Sequence, residues 1–287
     1  MIALVSARAA EHLDSDLPLL LEHLEGAEVA HWDDPTVDWS RFSAAVIRST
    51  WDYHQRLDEF LDWADRVSRL TRLVNPVDLV RWNVDKAYLV DLSDRGVPVV
   101  PTRVVADGEG VTALRAAGDL DGRVVVKPAI GAGSNGAARH VDDPDGAEEH
   151  ARSLLPAGRV VVQPYIDGVD DRGETGLVIL GGEFSHAFRK GAILSADRAW
   201  ADDLYVVEDI SPREATEAEL TVGRQVAKLF PEAAYLRVDL LPGHEGPLVS
   251  EVEAIEPSLF LHVSAGAAAR AARVFASLGE TPEERHR

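Results

Sequence analysis

Three groups of residues in this 287-residue chain have types and spacings suited to chemistry. The first is Arg123-Val-Val-Val-Lys-Pro-Ala-Ile-Gly-Ala-Gly-Ser-Asn-Gly136, a β-branched run leading through Lys127 into a loop with Gly131, Gly133, Ser134 and Gly136. Glycine lets a backbone approach a ligand closely, and free N–H groups beside an ammonium offset phosphate charge. The loop also spells G-x-G-x-x-G, but a dinucleotide fingerprint runs from strand directly into helix. Here Lys127-Pro128 intervene, and residues 137–141 read as a second strand. A flap over phosphates and a ligand-free glycine hairpin both fit these residues. The second group is Asp239, Glu251 and Glu253. Residues two apart on a strand share a face, so Glu251 and Glu253 project together, with Asp239 on the neighbouring antiparallel strand. Carboxylates that converge need a compensating cation, and hard oxygen donors suit magnesium held with substrate phosphates. Exposure of the same carboxylates on an acidic surface is the other reading. The third group is cationic. Arg189-Lys190 can stabilise charge on a transferred phosphoryl group or an oxyanion, or simply form a surface pair. Only four of the 29 basic residues are lysines (Lys86, Lys127, Lys190 and Lys228), which marks them as candidate point charges for phosphate.

The elements that must carry these groups follow from apolar periodicity. Residues 2–6, 29–32 and 44–49 read as strands alternating with amphipathic helices over 13–24 and 57–67, the pattern of a parallel α/β unit. Ligands bind outside the carboxyl ends of such strands. Arg48 lies at one, where it can grip a substrate carboxylate bidentately or form a structural Arg–Asp pair. A helix is expected from about residue 84 to 95, and a proline-marked extended segment over 97–102. The glycine hairpin, a helix over 147–155 and a strand over 160–166 follow. The chain then turns β-rich: a hairpin over 175–189, a helix over 213–230, strands over 235–240 and 248–253, and an alanine-rich helix over 262–278.

Composition excludes several classes. No apolar run is long enough to span a membrane, and the short Met-Ile-Ala-Leu-Val start without basic flanks reads as a strand and not a signal peptide. With no cysteine there is no disulfide, thiolate zinc site or cysteine nucleophile, which fits a cytoplasmic protein. A formal charge of −20 disfavours nucleic acid and anionic membranes as partners. The histidines lack H-E-x-x-H spacing, and no G-x-S-x-G elbow occurs.

Taken in order, Lys86 before Pro101-Thr102, Val124-Val-Val-Lys-Pro128 with its glycine loop, Val161-Val-Gln-Pro-Tyr-Ile166, Phe188-Arg-Lys190, Arg237-Val-Asp239 and Glu251-Val-Glu253 with Pro257 resemble the ATP-grasp superfamily over nearly the whole chain. The resemblance implies an α/β (α+β) ATP-grasp fold. Residues 1–80 would form a small parallel domain, 81–166 a linking helix and lid subdomain with the flap, and 167–287 a subdomain with the metal site. ATP would be gripped between the last two. It also implies ATP-dependent ligation: a carboxylate attacks the γ-phosphate to give an acyl phosphate and ADP, then a nitrogen displaces phosphate. By the same resemblance Lys86 and Lys127 would hold the α- and β-phosphates, and Gln163, Tyr165 and Ile166 would receive adenine. Glu174 would bind ribose, with Asp167 as a nearby substitute. Asp239, Glu251 and Glu253 would hold Mg2+, while Arg189, Lys190 and Arg237 would stabilise the reacting groups. Two departures stand out: Glu253 replaces the asparagine of many members, and residues 191–209 lack their basic glycine-rich loop.

Within the superfamily the chain is similar to the glutathione-synthetase-like branch. Arg48-Ser-Thr-Trp-Asp-Tyr53, Trp82-Asn-Val-Asp-Lys86, Phe184-Ser-His-Ala-Phe-Arg-Lys190 and Glu256-Pro-Ser-Leu-Phe-Leu261 resemble the cyclo-ligases of D-cycloserine biosynthesis, which close O-ureido-serine at the expense of ATP. That implies a small amino-acid-like substrate gripped by Arg48, Arg237 and Ser258, and a homodimer as usual for the branch. An intermolecular amino-acid ligase is an alternative, and an inactive nucleotide-binding regulatory protein another. Retention of both lysines, the Arg189-Lys190 pair and three carboxylates favours an active enzyme.

Overall fold

The computed structural model describes residues 1–133, 135–191 and 209–279; Ser134, nearly all of the 191–209 segment and the polar tail lie outside the described residues. Three sheets organise them. The first is parallel, with β1 (Ile2–Ser6), β2 (Ala27–His31), β3 (Ala44–Ser49) and β4 (Arg72–Val74) in the order β2-β1-β3-β4. The second is antiparallel, with β5 (Arg103–Val105), β6 (Arg123–Pro128), β7 (Ala138–Val141) and β8 (Val160–Pro164) in the order β5-β8-β6-β7. The third, also antiparallel, holds β9 (Glu174–Leu180), β10 (Glu183–Lys190), β11 (Ile210–Arg213), β12 (Tyr235–Pro242) and β13 (Pro247–Glu253) in the order β11-β10-β9-β12-β13.

β1 and β3 are buried along their whole length because both faces of the first sheet are covered. Helix α1 (Asp16–His23) lies on one face and α2 (Leu57–Ser68) on the other, where Phe60 and Trp63 pack against Trp32 and Trp39. The α1 face shares one core with the third sheet, joining Leu4 and Leu20 to Tyr235 and Phe275. The linking helices α3 (Val77–Asn83) and α4 (Tyr88–Asp94) pack on the other face of the third sheet. Helices α5 (Gly108–Ala117) and α6 (Pro144–Leu154) give the second sheet a small core of its own. The short α7 (Gly168–Arg172) leads into β9, α8 (Glu217–Leu229) starts at a Thr216/Glu219 capping box, and α9 (Ala267–Gly279) is the last element of the described residues.

One expectation fails in a way that matters for the site. The helix expected from about residue 84 starts only at Tyr88, and residues 84–87 instead form a break after a separate, unexpected helix over Val77–Asn83. At the break the Lys86 main-chain N–H donates to Ala129 O at 2.8 Å, and Asp85 accepts from the Ala87 N–H at 2.9 Å. A contact with the glycine hairpin takes the place of a helical hydrogen bond. The linker is thereby fastened to the loop beside it.

Candidate active site

The second and third sheets face each other across a cavity of about 230 Å3. β6 contributes Lys127 to its roof, and the glycine loop contributes Gly131 and Gly133. β12 and β13 provide the floor with Arg237, Glu251 and Glu253, while the turn after β3 closes one end with Trp51 and Tyr53. Tyr165 and Ile166, just beyond β8, line it as well. Gly133 and Gly136 both have left-handed backbones, with φ of 62° and 70°. At Gly136 a Cβ would come within 3.2 Å of the Pro128 ring, so glycine is required both for the turn and for its closeness to the strand end.

Charges in the cavity are paired in a definite order. Lys86 Nζ lies 3.0 Å from Glu251 and donates to Gly131 O at 2.8 Å, tying linker, flap and floor together. Burial disfavours the Lys86 ammonium, but Glu251, with Glu253 and Glu256 behind it, more than compensates and the pKa rises. Glu251 goes the opposite way: burial is outweighed by Lys86 and Lys127, and its carboxyl is held low. Lys127 is less well served. Burial dominates, Glu251 helps, Lys86 repels, and the ammonium is brought down to about 8. One carboxylate between two lysines is engaged by one of them.

Asp239, opposite Glu251 in the β12–β13 register, is fully buried. It accepts two bonds from Arg237, at 2.9 and 2.8 Å, and one from Lys190 at 3.3 Å. These cations overcome burial and hold its carboxyl low. Arg237 also pairs with Glu253 and donates to Ser258 O at 3.2 Å. Even so, burial, together with Glu251 and Asp239, pushes Glu253 up to about 7 against the pull of Arg237. Glu174 lines the cavity 3.3 Å from Lys190 and accepts from Ser250 Oγ; burial raises its carboxyl despite Lys190.

Several candidate residues sit differently from the sequence reading. The three carboxylates turn toward protein cations, and among the described residues no three acidic or imidazole groups converge on a metal-sized point. Arg189 and Lys190 do not act as a pair: alternation along β10 sends Lys190 into the cavity, while Arg189 donates to Arg172 O at 3.0 Å. Arg48 does not line the cavity. Its side chain is fully buried, donates to Pro257 O at 2.6 Å, lies 3.8 Å from Asp16 and sits 5.4 Å over the Tyr235 ring. That is the structural Arg–Asp arrangement. Ser258, which Arg48 helps to seat through Pro257, does line the cavity. Gln163 is buried and donates to Thr102 Oγ1 at 2.9 Å, and the Tyr165 N–H donates to Arg123 O at 2.8 Å. The Tyr165 carbonyl and Ile166 N–H have no main-chain partner among the described residues and can read a base edge. Asp167 is on the surface, 2.6 Å from Arg123, and does not line the cavity.

Sequence reasoning passed over Glu256, Trp51 and Tyr53 as site residues, although all three line the cavity. The available signal is that the two aromatics stand in Arg48-Ser-Thr-Trp-Asp-Tyr53 at a strand's carboxyl end and that Glu256 opens Glu256-Pro-Ser-Leu-Phe-Leu261. Nothing local pointed to Asp16, which accepts from the N–H groups of Leu259, Phe260 and Leu261 at 2.7, 3.1 and 2.8 Å. Those bonds set the loop carrying Glu256 and Ser258, including the left-handed Phe260 at φ 47°.

The family described as "D-cycloserine synthetase DcsG, N-terminal domain" matches residues 2–75. Cycloserine biosynthesis protein DcsG from Streptomyces lavendulae is 40% identical over 292 residues, covering 96% of this chain and 98% of that protein. The chain belongs to the DcsG family. The crystal structure of D-cycloserine synthetase DcsG superposes with a TM-score of 0.89 at 39% identity, over 97% of this chain and 99% of that one. The ATP-grasp ligase PsnB, solved with a phosphomimetic variant of its minimal precursor, Mg and ADP, shares the fold at a TM-score of 0.65 and 17% identity, over 97% and 98% of the two chains. The fold is that of the ATP-grasp ligases, and the chain is an enzyme of that class, forming a bond at the expense of ATP. Among the described residues no helix is long and apolar enough to cross a membrane.

Proposed function

We propose that this enzyme activates the carboxylate of O-ureido-D-serine with ATP and closes it to the ring of D-cycloserine. The substrate carboxylate attacks the γ-phosphorus and ADP leaves; the ureido nitrogen bonded to oxygen then attacks the acyl phosphate, and phosphate leaves as the ring C–N bond forms. Free D-cycloserine further requires hydrolytic loss of the carbamoyl group. One observation carries the reading: Lys86, Lys127 and the glycine loop face the acidic β13 residues across one cavity with Trp51 and Tyr53 at its end.

In this reading Lys86 and Lys127 neutralise the ATP phosphates, and the glycine loop covers them with backbone N–H groups. The Tyr165 carbonyl and Ile166 N–H take the adenine edge, and Glu174 takes ribose. Lys190 and Arg237 act on the transferred phosphoryl group and on the oxyanion of the tetrahedral intermediate. Arg189 has no role in the cavity, and Arg48 seats the substrate loop. Carboxylate oxygens are the donors magnesium prefers, so the donor chemistry of these residues fits, although each is engaged here by a protein cation from which it would turn to bind the metal. Asp239, Glu251 and Glu253 would hold Mg2+, which when bound neutralises phosphate charge.

Phosphate release from Mg-ATP, measured against O-ureido-D-serine, single amino acids and pairs of them, tests the proposal. Release with O-ureido-D-serine alone, accompanied by D-cycloserine, is the expected result. Release only with a pair of amino acids would make the enzyme an intermolecular ligase. Failure to bind Mg-ATP would overturn the assignment of the cavity.

A further inference from the structure

Every carboxylate on the cavity floor is matched to a protein cation except one. Glu251 has Lys86, Glu253 has Arg237 and Glu174 has Lys190. Glu256 also lines the cavity, yet among the described residues no cation lies within ion-pair distance of its carboxylate. Lys86, the positive charge acting on it, is engaged by Glu251 at 3.0 Å. Burial, with Glu253 and Glu251 adding to it, pushes the Glu256 carboxyl well upward, as expected of an acid lacking its counter-charge.

The position of this acid is fixed. Its main-chain carbonyl accepts from Trp51 Nε1 at 3.0 Å, and the next carbonyl, Pro257 O, accepts from Arg48. Trp51 and Tyr53 bring aromatic wall to the same end of the cavity, and Glu256 is the first neighbouring charge to act on the Tyr53 hydroxyl. A half-buried carboxylate beside aromatic rings, with its own main-chain N–H as donor and no cation at ion-pair distance among the described residues, complements a ligand ammonium.

We propose that Glu256 binds the α-ammonium of a small amino-acid substrate, with Trp51 and Tyr53 forming the wall along its carbon skeleton; this rests on the ligase reading above. The consequence is chemical as well as steric. A substrate with both an α-amine and a second nitrogen offers two nucleophiles to its own acyl phosphate or to that of another molecule. An amine held as an ammonium against a carboxylate has no lone pair to donate. Attack is thereby restricted to the other nitrogen, which closes a ring instead of joining two amino acids.

The test crosses a change in the enzyme with a change in the substrate. ADP formation is measured for the wild type and Glu256→Gln, with O-ureido-D-serine and with its analogue lacking the amine, 3-(ureidooxy)propanoate. Glutamine is isosteric, and the loop is held through main-chain carbonyls; equal melting temperatures verify the fold. The KM for the amino acid should rise about 10- to 100-fold in Glu256→Gln, as for loss of a charged hydrogen bond, with the KM for ATP and the Mg2+ requirement unchanged. The analogue should lose a similar factor on the wild type and no more on the variant. An unchanged KM, losses that multiply, or a raised Mg2+ requirement in place of a raised KM would each overturn the proposal; the last would make Glu256 a metal ligand. If another amino acid supports release, the same cycle is run with it and its deamino analogue. Release supported only by carboxylates without an amine would overturn the Glu256 assignment and leave the ligase reading standing. Silence with every acid would sink both.

Discussion

Lys127 gives a pH signature for nucleotide binding. Burial, with Glu251 engaged by Lys86, brings its ammonium down to about 8 in the free protein. Phosphate oxygens would return it toward the ordinary value of 10.5. Below about 8 the group is charged both free and bound and adds no pH dependence of its own. Above that, binding must take up a proton, so the Kd for Mg-ATP rises about tenfold per pH unit until the pKa of the complex is reached. With a free-state value of about 8, moving from pH 7.5 to about 9.5 should weaken binding by about 20- to 30-fold. Of the other cavity groups, the Lys86 and Tyr53 values are raised and the Glu251 value is lowered, while burial raises the Glu174 and Glu256 carboxyls, so the Lys127 share of the slope is the part that disappears in Lys127→Arg. Glu253, at about 7, has largely finished titrating where the window opens. Calorimetric titration of Mg-ATP across this range, in buffers of different ionisation enthalpy, reads both the Kd and the proton uptake. Lys127→Arg keeps a charge throughout and should flatten the profile whatever it does to absolute affinity. A pH-independent Kd in the wild type, or the same slope in Lys127→Arg, would refute Lys127 as a phosphate ligand.

Two further outcomes follow from the geometry. Glu251→Gln should reduce Mg2+-dependent ADP formation by more than about 100-fold with the fold intact by circular dichroism, since it removes a proposed metal ligand and the partner of Lys86; full activity would sink the metal assignment. Asp16→Ala should lower stability in urea by at least about 3 kcal/mol, because three buried N–H groups at Leu259, Phe260 and Leu261 lose their acceptor at about 1–3 kcal/mol each, and a loss below about 1 kcal/mol would mean the loop holds itself.

The readable parts of the site were those whose geometry is local. A β-branched run, a lysine and three glycines dictate a strand and a tight loop. The two-residue period of β13 puts Glu251 and Glu253 on one face whatever surrounds it. Arg48 shows the converse: its sequence position leaves a carboxylate grip and a structural Arg–Asp pair both open. Its place at a strand's carboxyl end looked like a ligand position, but Asp16 and Tyr235, remote in sequence, enclose it. Arg189-Lys190 misled because adjacency along a strand was read as adjacency in space. The sequence places Lys86 on a helix, whereas its actual turn depends on the hydrogen bond its main-chain N–H donates to Ala129 O of a distant hairpin.

The sequence by itself determined the order of the parts: a parallel unit in front, a glycine hairpin with its lysine, and a closing antiparallel pair rich in carboxylates. Periodicity and turn residues are local properties, so one chain suffices to read them. The tertiary structure alone decided which charges meet. Glu251 is engaged by Lys86 and not by Lys127, Asp239 lies beneath Arg237 and Lys190, and Glu256 faces the cavity with no cation at ion-pair distance among the described residues. Those outcomes are set by burial and by distances of 3–4 Å between segments far apart in the chain. Coulombic energies at such distances change steeply with dielectric environment, which no local pattern encodes.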